Sequence, residues 1–125
     1  MWYHGWNDGV DPQNTVPEYE QNLVNLINDI CVEFKAPKLP VVIGELTGPW
    51  VKAEGGWDDL RNAQAAAAHG PEFAGNVSFV PTHDFVRKPE DSPNTGHDHH
   101  EFGNAETYFL VGDALGKSML DLMSR

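Results

Sequence analysis

The spacing of hydrophobic residues along the chain predicts three helices. From about Pro17 to Pro37, apolar residues recur three and four positions apart, a spacing typical of an amphipathic helix. The same kind of pattern predicts a second helix over 57–69 and a last helix over about 104–123. The predicted buried face of the first helix is Leu23, Leu26, Ile27, Ile30 and Phe34. That of the last helix is Tyr108, Val111, Gly112, Leu115, Met119 and Leu122.

Shorter apolar runs predict strands between these helices. Residues 40–46 form a continuous, β-branched run, typical of a strand that is buried on both faces. A short strand is predicted over 77–80, and residues 1–3 are interpreted as the end of another. The segments 4–16 and 81–103 are predicted to be loops. Because strands and helices alternate, the chain is predicted to have an α/β layered fold with parallel strands.

Composition and charge narrow the classes of function. The chain has 125 residues, of which 40% are hydrophobic and 22% charged, as in a single globular domain. Its net charge of −11 argues against a nucleic acid or an anionic membrane as partner. No apolar run reaches the ~20 residues of a membrane span. The single cysteine, Cys31, excludes an internal disulfide and a multi-cysteine zinc site, and we expect it to be buried in the first helix.

A polar turn follows the first predicted strand. Gly5, Trp6, Asn7 and Asp8 stand where ligands bind in open α/β sheets, at the carboxyl end of a strand. The Asn7 amide there could donate a hydrogen bond to an oxyanion. The alternative is an ordinary turn, which asparagine, aspartate and glycine favour for local reasons.

A histidine-rich cluster lies in the second predicted loop. His97, Asp98, His99 and His100 are consecutive and precede the last helix. One interpretation is a histidine base oriented by a carboxylate. A second is a divalent metal site on His97, His99 and His100, and a third is a solvated loop without a role.

Tryptophan is frequent for a chain of this length. Trp2, Trp6, Trp50 and Trp57 either pack in the core or provide a platform for a sugar ring. Glu45, at the end of the second predicted strand, is either part of the same rim or a structural hydrogen-bond acceptor.

Several of these segments, taken in order, resemble one protein family. Residues 2–8 resemble the Gly-x-Asn-Asp block of SGNH hydrolases and, more closely, the Trp-x-Gln-Gly stretch of sialate O-acetylesterase-like carbohydrate esterases. Residues 19–34 and 39–44 are similar to the helix and the Leu-Pro-x-x-Ile-Gly strand of that family. Residues 60–65 resemble its Arg-x-x-Gln segment, and residues 100–105 resemble its final block, in which a histidine precedes the last helix.

This resemblance implies a flavodoxin-like three-layer α/β sandwich and an enzyme that cleaves acetyl esters from sugars without a cofactor. By resemblance, Asn7 would donate to the oxyanion, His100 would be the general base, and Asp98 would orient its imidazole. The family's acid stands three residues before the histidine, where this chain has His97. The residues expected to bind substrate are His4, Gly5, Trp6 and Asp8.

The family's nucleophilic serine lies in a Gly-Asp-Ser or Gly-Gln-Ser block, and neither block is present here. The serines of this chain are Ser78, Ser92, Ser118 and Ser124. We therefore expect residues 1–125 to be one incomplete domain, the C-terminal part of an SGNH-type esterase. Such a chain would be inactive alone and would dimerise or pair with its missing N-terminal half.

Two further expectations concern the location of the protein and an alternative function. Relatives in this family are often periplasmic or secreted. Residues 1–8 lack the basic and apolar segments of a secretory signal, so any such signal is expected to lie outside this sequence. An alternative function for the chain is a noncatalytic carbohydrate-binding or interaction module.

Overall fold

The computed structural model describes residues 1–48 and 56–125; Trp50, one of the four tryptophans considered above, lies outside these ranges. Four helices and two strands follow one another in the order α, α, β, α, β, α. They are α1 (Trp6–Val10), α2 (Pro12–Glu33), β1 (Val41–Gly44), α3 (Gly56–Ala68), β2 (Val77–Val80) and α4 (Ala105–Met123). None of the described helices is long and apolar enough to cross a membrane.

The strands form a small parallel sheet with β1 at its centre. β2 pairs with β1 in parallel on one side. On the other side, the Trp2 N–H donates to the Val42 carbonyl at 2.8 Å, and the Gly44 N–H donates to the Trp2 carbonyl at 2.9 Å. The predicted α/β class with parallel strands is therefore confirmed. The first strand is reduced to the single bridge at Trp2.

Helices cover both faces of this sheet because successive strand residues point to opposite sides. Ile43 packs in one apolar cluster with Leu23 of α2 and Leu60 of α3. Its neighbour Val42 packs in a second cluster, with Leu115 of α4. Both strand residues are fully buried. The sheet is thus the middle of three layers, and its carboxyl edge stays accessible between them.

The segment before Pro17 is not a loop, contrary to the sequence-based expectation. It contains α1, and α2 begins at Pro12, where a missing backbone N–H removes no helical hydrogen bond. Pro17 lies inside α2 rather than at its start. The Thr15 hydroxyl, within hydrogen-bond distance of the Asp8 carbonyl (2.8 Å) and the Asp11 carbonyl (2.7 Å), ties the two helices together.

Three predicted core positions are exposed. Phe34 is 71% exposed because α2 ends at Glu33 and the chain turns at Lys35, whose φ is +52°. Tyr108 is 48% exposed and Gly112 is also on the surface. The buried stripe of α4 contains Thr107, Val111, Leu115 and Leu122, so Thr107 takes the buried position predicted for Tyr108, and the prediction of Gly112 as a core residue is wrong.

The second strand is shorter than its apolar run of residues 40–46. β1 ends at Gly44, and the Leu46 N–H turns away from the sheet to donate to the buried Gln64 side chain at 2.9 Å. Hydrophobicity continues past the strand because Leu46 itself is buried.

The long segment 81–103 contains three short 3-10 turns and is attached to α4 through Asn104. The Asn104 side-chain oxygen accepts from the backbone N–H groups of Glu106 and Thr107, which caps α4. Its side-chain nitrogen donates to the Asp91 carbonyl and lies 3.0 Å from the Ser92 hydroxyl. One buried amide therefore fixes both the start of the helix and the loop before it.

Asn104→Ala is expected to lower the free energy of unfolding by about 1–2 kcal/mol, since it removes a helix cap and leaves buried groups unpaired. Urea denaturation measures this change. Ser124→Ala, at the exposed end of α4, is the matched control and should change stability by less than about 0.5 kcal/mol. Equal effects of the two substitutions would contradict the capping role.

Candidate active site

A cleft of about 320 Å³ lies at the carboxyl edge of the sheet. Its walls come from the segment after Trp2, the segment after β1 and the turn before α4, three regions that the parallel topology brings to one edge. The residues lining this cleft are Tyr3, His4, Gly5, Trp6, Leu46, His99, His100, Glu101 and Tyr108.

A hydrogen-bond cluster of Tyr3, Thr47 and Glu101 joins these three regions. The Thr47 hydroxyl donates to Glu101 Oε1 at 2.5 Å. The Tyr3 hydroxyl lies 3.1 Å from both Glu101 Oε1 and Thr47 Oγ1. Thr47 is 1% exposed and Glu101 is 6% exposed, so the contacts are shielded from water. Hydrogen bonds to a charged group in such surroundings are among the stronger ones in proteins.

The turn that carries His100 is held in an unfavourable backbone conformation. Glu101 and Phe102 have φ values of +48° and +54°, in the left-handed region that costs non-glycine residues about 1–2 kcal/mol each. Glu101 Oε2 is buried and has no hydrogen-bond partner among the described residues. The Tyr108 hydroxyl donates to the His100 carbonyl at 2.6 Å. Backbone strain of this kind persists only where surrounding contacts hold it, and it is concentrated at functional sites.

The buried position of Tyr3 also affects its ionisation. Burial raises the pKa of Tyr3 to about 12, and the charge of Glu101 acts in the same direction, whereas the contact with Thr47 opposes the shift. Tyr3 therefore stays protonated at neutral pH and is a hydrogen-bond donor within the cluster.

Two side chains of α3 hold the backbone behind the cleft. Gln64, fully buried, donates to the His4 carbonyl at 3.2 Å and accepts from Leu46 N–H. Arg61 donates to the Leu46 carbonyl at 3.0 Å and to the Thr47 carbonyl at 2.6 Å. The Arg-x-x-Gln segment singled out in the sequence thus connects the two strand ends that form the cleft.

Glu45 is a structural hydrogen-bond acceptor, one of the two roles considered for it. Its carboxylate accepts from the backbone N–H groups of Thr82 and His83, both at 3.0 Å. His83 Nδ1 lies 2.8 Å from the Thr47 carbonyl, so the segment after β2 is attached to the segment after β1. These contacts brace the side of the cleft on which Thr47 lies.

The histidine cluster brings three imidazole rings together, of which one pair is stacked and the others are tilted. The His99 and His100 ring centroids are 4.3 Å apart, and His97 stacks on His99 at 5.2 Å. Asp98 Oδ1 accepts from the backbone N–H of His99 at 2.9 Å and lies 3.7 Å from His99 Nδ1, so it contacts His99 rather than His100. In residues 1–48 and 56–125, no group of three or more potential ligands is arranged to hold a metal ion.

The structure brings together some of the predicted site residues and separates others. His4, Gly5, Trp6 and His100 line the cleft, and Trp6 packs against Trp57 with ring centroids 4.8 Å apart. Asn7 is exposed on α1 and does not line the cleft. Two others also lie outside the cleft lining: Asp8, which lines a neighbouring pocket, and Asp98.

Sequence inspection missed Tyr3, Thr47, Glu101 and Tyr108 as parts of this site. Thr47 is 44 positions from Tyr3 and 54 positions from Glu101, so no local motif connects them. The one usable signal was the position of Glu101 directly after His100.

The serines lie away from the cleft. Ser78 of β2 and Ser118 of α4 contact each other, with hydroxyl oxygens 2.8 Å apart, on the sheet face covered by α4. The hydroxyl of Ser92 donates to the Lys88 carbonyl, and that of Ser124 donates to the Asp121 carbonyl. The described lining of the cleft therefore contains no serine.

The fold and the cleft define an α/β protein with an open cleft at the carboxyl edge of a parallel sheet. A family model described as carbohydrate esterase, sialic acid-specific acetylesterase, matches residues 1–120. The chain belongs to this family, which confirms its resemblance to sialate O-acetylesterase-like carbohydrate esterases. No curated protein and no solved structure matches the chain.

The raised pKa of Tyr3 predicts a loss of stability at high pH. In the unfolded chain tyrosine ionises near pH 10, whereas folded Tyr3 ionises near pH 12. The contribution of protonated Tyr3 to the free energy of unfolding is therefore fully present below pH 10. On the order of 2 kcal/mol of it is lost as the pH rises to about 12. Urea unfolding below and above pH 10 measures this loss.

Tyr3→Phe should reduce the loss of stability between pH 10 and 12. Burial also raises the pKa of Tyr19 and, at a more exposed position, that of Tyr108, so Tyr108→Phe should reduce the loss less than Tyr3→Phe does. The same slope in Tyr3→Phe and the unsubstituted protein would show that Tyr3 is not the group responsible.

Proposed function

We propose that the chain provides the general base and binding surface of a carbohydrate O-acetylesterase, with the cleft as the site of the acetyl ester. The observation that carries this proposal is the presence of His100 in a strained turn at the carboxyl edge of the sheet, in a chain of the acetylesterase family. An acetylated sugar is the substrate class that the family implies.

In the proposed reaction, an attacking oxygen adds to the acetyl carbonyl while His100 takes its proton. The predicted oxyanion donor is Asn7, which is exposed on α1 next to the cleft residue Trp6, so its amide would have to turn toward the acetyl group to donate to the oxyanion that forms. His100 then returns the proton to the sugar oxygen as the ester bond breaks, and hydrolysis releases acetate. Because Asp98 contacts His99, its negative charge would act on His100 across the neighbouring ring.

The attacking oxygen is proposed to come from a serine outside the described cleft lining. A serine nucleophile would form an acetyl-enzyme that water hydrolyses in a second step. This proposal agrees with the position of all four serines away from the cleft. It also corresponds to the proposed incomplete domain, whose missing N-terminal half or dimer partner would complete the site.

Substrate binding is assigned to the loop and helix after Trp2. His4, Gly5 and Trp6 line the cleft, with the Trp6 ring 5.7 Å from that of His99. Asp8 extends this surface to the neighbouring pocket. Aromatic rings beside polar groups are suited to a sugar, which presents both C–H and O–H groups.

We also propose that the fold is the C-terminal part of a flavodoxin-like SGNH sandwich. The parallel order of Trp2, β1 and β2 supports this assignment, as does the division of helices between the two faces of the sheet.

A noncatalytic carbohydrate-binding module is the second candidate. The absence of a serine from the described cleft lining favours it, since aromatic and polar groups for binding are present there without a nucleophile. Binding of an acetylated sugar without release of acetate, even when a serine-bearing segment is supplied, would select this alternative.

Release of acetate from an O-acetylated sugar tests the esterase proposal. We expect hydrolysis when the chain is joined to a serine-bearing N-terminal half from the family, and about a 100-fold or greater loss in His100→Ala, as for removal of a general base. His69→Ala is the control, because His69 packs against Phe79 away from the cleft and should leave the rate unchanged. Full activity of His100→Ala would overturn the assignment.

A further inference from the structure

A second pocket, here called the side pocket, adjoins the cleft. It encloses about 240 Å³ between the first strand, α1 and α2. His4 lines both the cleft and the side pocket, so a ligand bound in the cleft could extend into the side pocket across this residue. Its other lining residues include Trp2, Asp8, Asn22 and Leu26.

The side pocket has an aromatic and apolar wall. The Trp2 and His4 rings pack with centroids 5.6 Å apart, beside Leu23 and Leu26 of α2. The Trp2 indole N–H donates to the Tyr19 hydroxyl at 3.0 Å, and that hydroxyl donates to the His4 carbonyl at 2.7 Å. These bonds fix the orientation of the Trp2 ring before any ligand binds.

Two polar side chains of the side pocket are free for a ligand. The Asp8 carboxylate and the Asn22 amide make no hydrogen bond within residues 1–48 and 56–125, as also holds for some other amides of α2, whereas the following two donate to neighbouring side chains. Asn14 donates to Asp11, and Gln21 donates to Asn25. A carboxylate accepts hydrogen bonds, and an amide both donates and accepts them. Together they can accept a hydrogen bond from a ligand hydroxyl group or donate one to it.

The charge of the side pocket selects against anionic ligands. Asp8 is the one carboxylate in the lining, and neither lysine nor arginine lines the pocket in the described part of the chain. A carboxylate ligand would therefore be repelled, whereas a neutral ring with hydroxyl groups would not.

We infer that the side pocket is a second carbohydrate subsite, which binds an uncharged sugar ring linked to the acetylated sugar in the cleft. The ring would lie against Trp2, with its hydroxyl groups bonded to Asp8 and Asn22. This inference rests on the proposed function for its account of the cleft, but the side pocket can be tested by itself.

Titration with neutral methyl hexosides, followed by NMR, tests the subsite. We expect saturable shifts of the Trp2 indole N–H and the Asn22 side-chain amide. Asp8→Ala and Asn22→Ala should each weaken binding about 5- to 10-fold, the equivalent of one hydrogen bond. Asn25→Ala is the matched control on α2, and Asp8→Asn, which keeps an acceptor oxygen, should lose less affinity than Asp8→Ala.

Three results would overturn the inference: no saturable shift at Trp2, binding unaffected by both alanine substitutions, or N-acetylneuraminate bound in the side pocket as tightly as neutral hexosides. A separate titration with an O-acetylated monosaccharide, observed at His100 and Tyr108, tests the cleft. If the shifts at His100 and Tyr108 alone are absent, the proposed function is contradicted and the side pocket stays supported. If the shifts at Trp2 and Asn22 alone are absent, the side-pocket inference is contradicted and the proposed function stays supported.

Discussion

The contact of Glu101 with Tyr3 and Thr47 is the interaction on which the site depends. It joins the first strand, the segment after β1 and the turn before α4 through two hydroxyl groups on one carboxylate oxygen. Two left-handed residues oppose this arrangement, as does the buried Glu101 Oε2, which has no hydrogen-bond partner in the part of the chain that the structure describes. The hydrogen bonds, the burial of Phe102 and the Tyr108 contact to the His100 carbonyl offset these unfavourable terms. His100 is therefore held at the edge of the sheet by residues far from it in sequence.

The sheet explains why this edge is available for binding. Helices cover both of its faces, so the cleft and the side pocket open where the strands end. His4 lies between the two pockets, and its carbonyl is held from behind by Gln64 and Tyr19. Two adjoining pockets that share one residue are suited to an extended ligand with one ring in each.

The sequence predicted what depends on local pattern. Hydrophobic spacing predicted the long helices and the buried strand, and the alternation of strands and helices predicted the parallel α/β class. The family resemblance grouped seven residues as one site, of which His4, Gly5, Trp6 and His100 line the cleft, whereas Asn7, Asp8 and Asp98 do not. It failed where tertiary contacts decide: Pro12 rather than Pro17 starts α2, and Phe34 lies beyond the helix end. Thr47 could not be found, and Glu101 was marked only by its position directly after His100, because their role exists only when distant segments meet.

The most direct test of this account is a crystal structure with a bound O-acetylated sugar. The account predicts the acetyl group in the cleft beside His100 and Trp6, with the Glu101 carboxylate still bonded to Tyr3 and Thr47. A sugar bound elsewhere with the cleft empty, or a Glu101 side chain turned away from both hydroxyl groups, would contradict it.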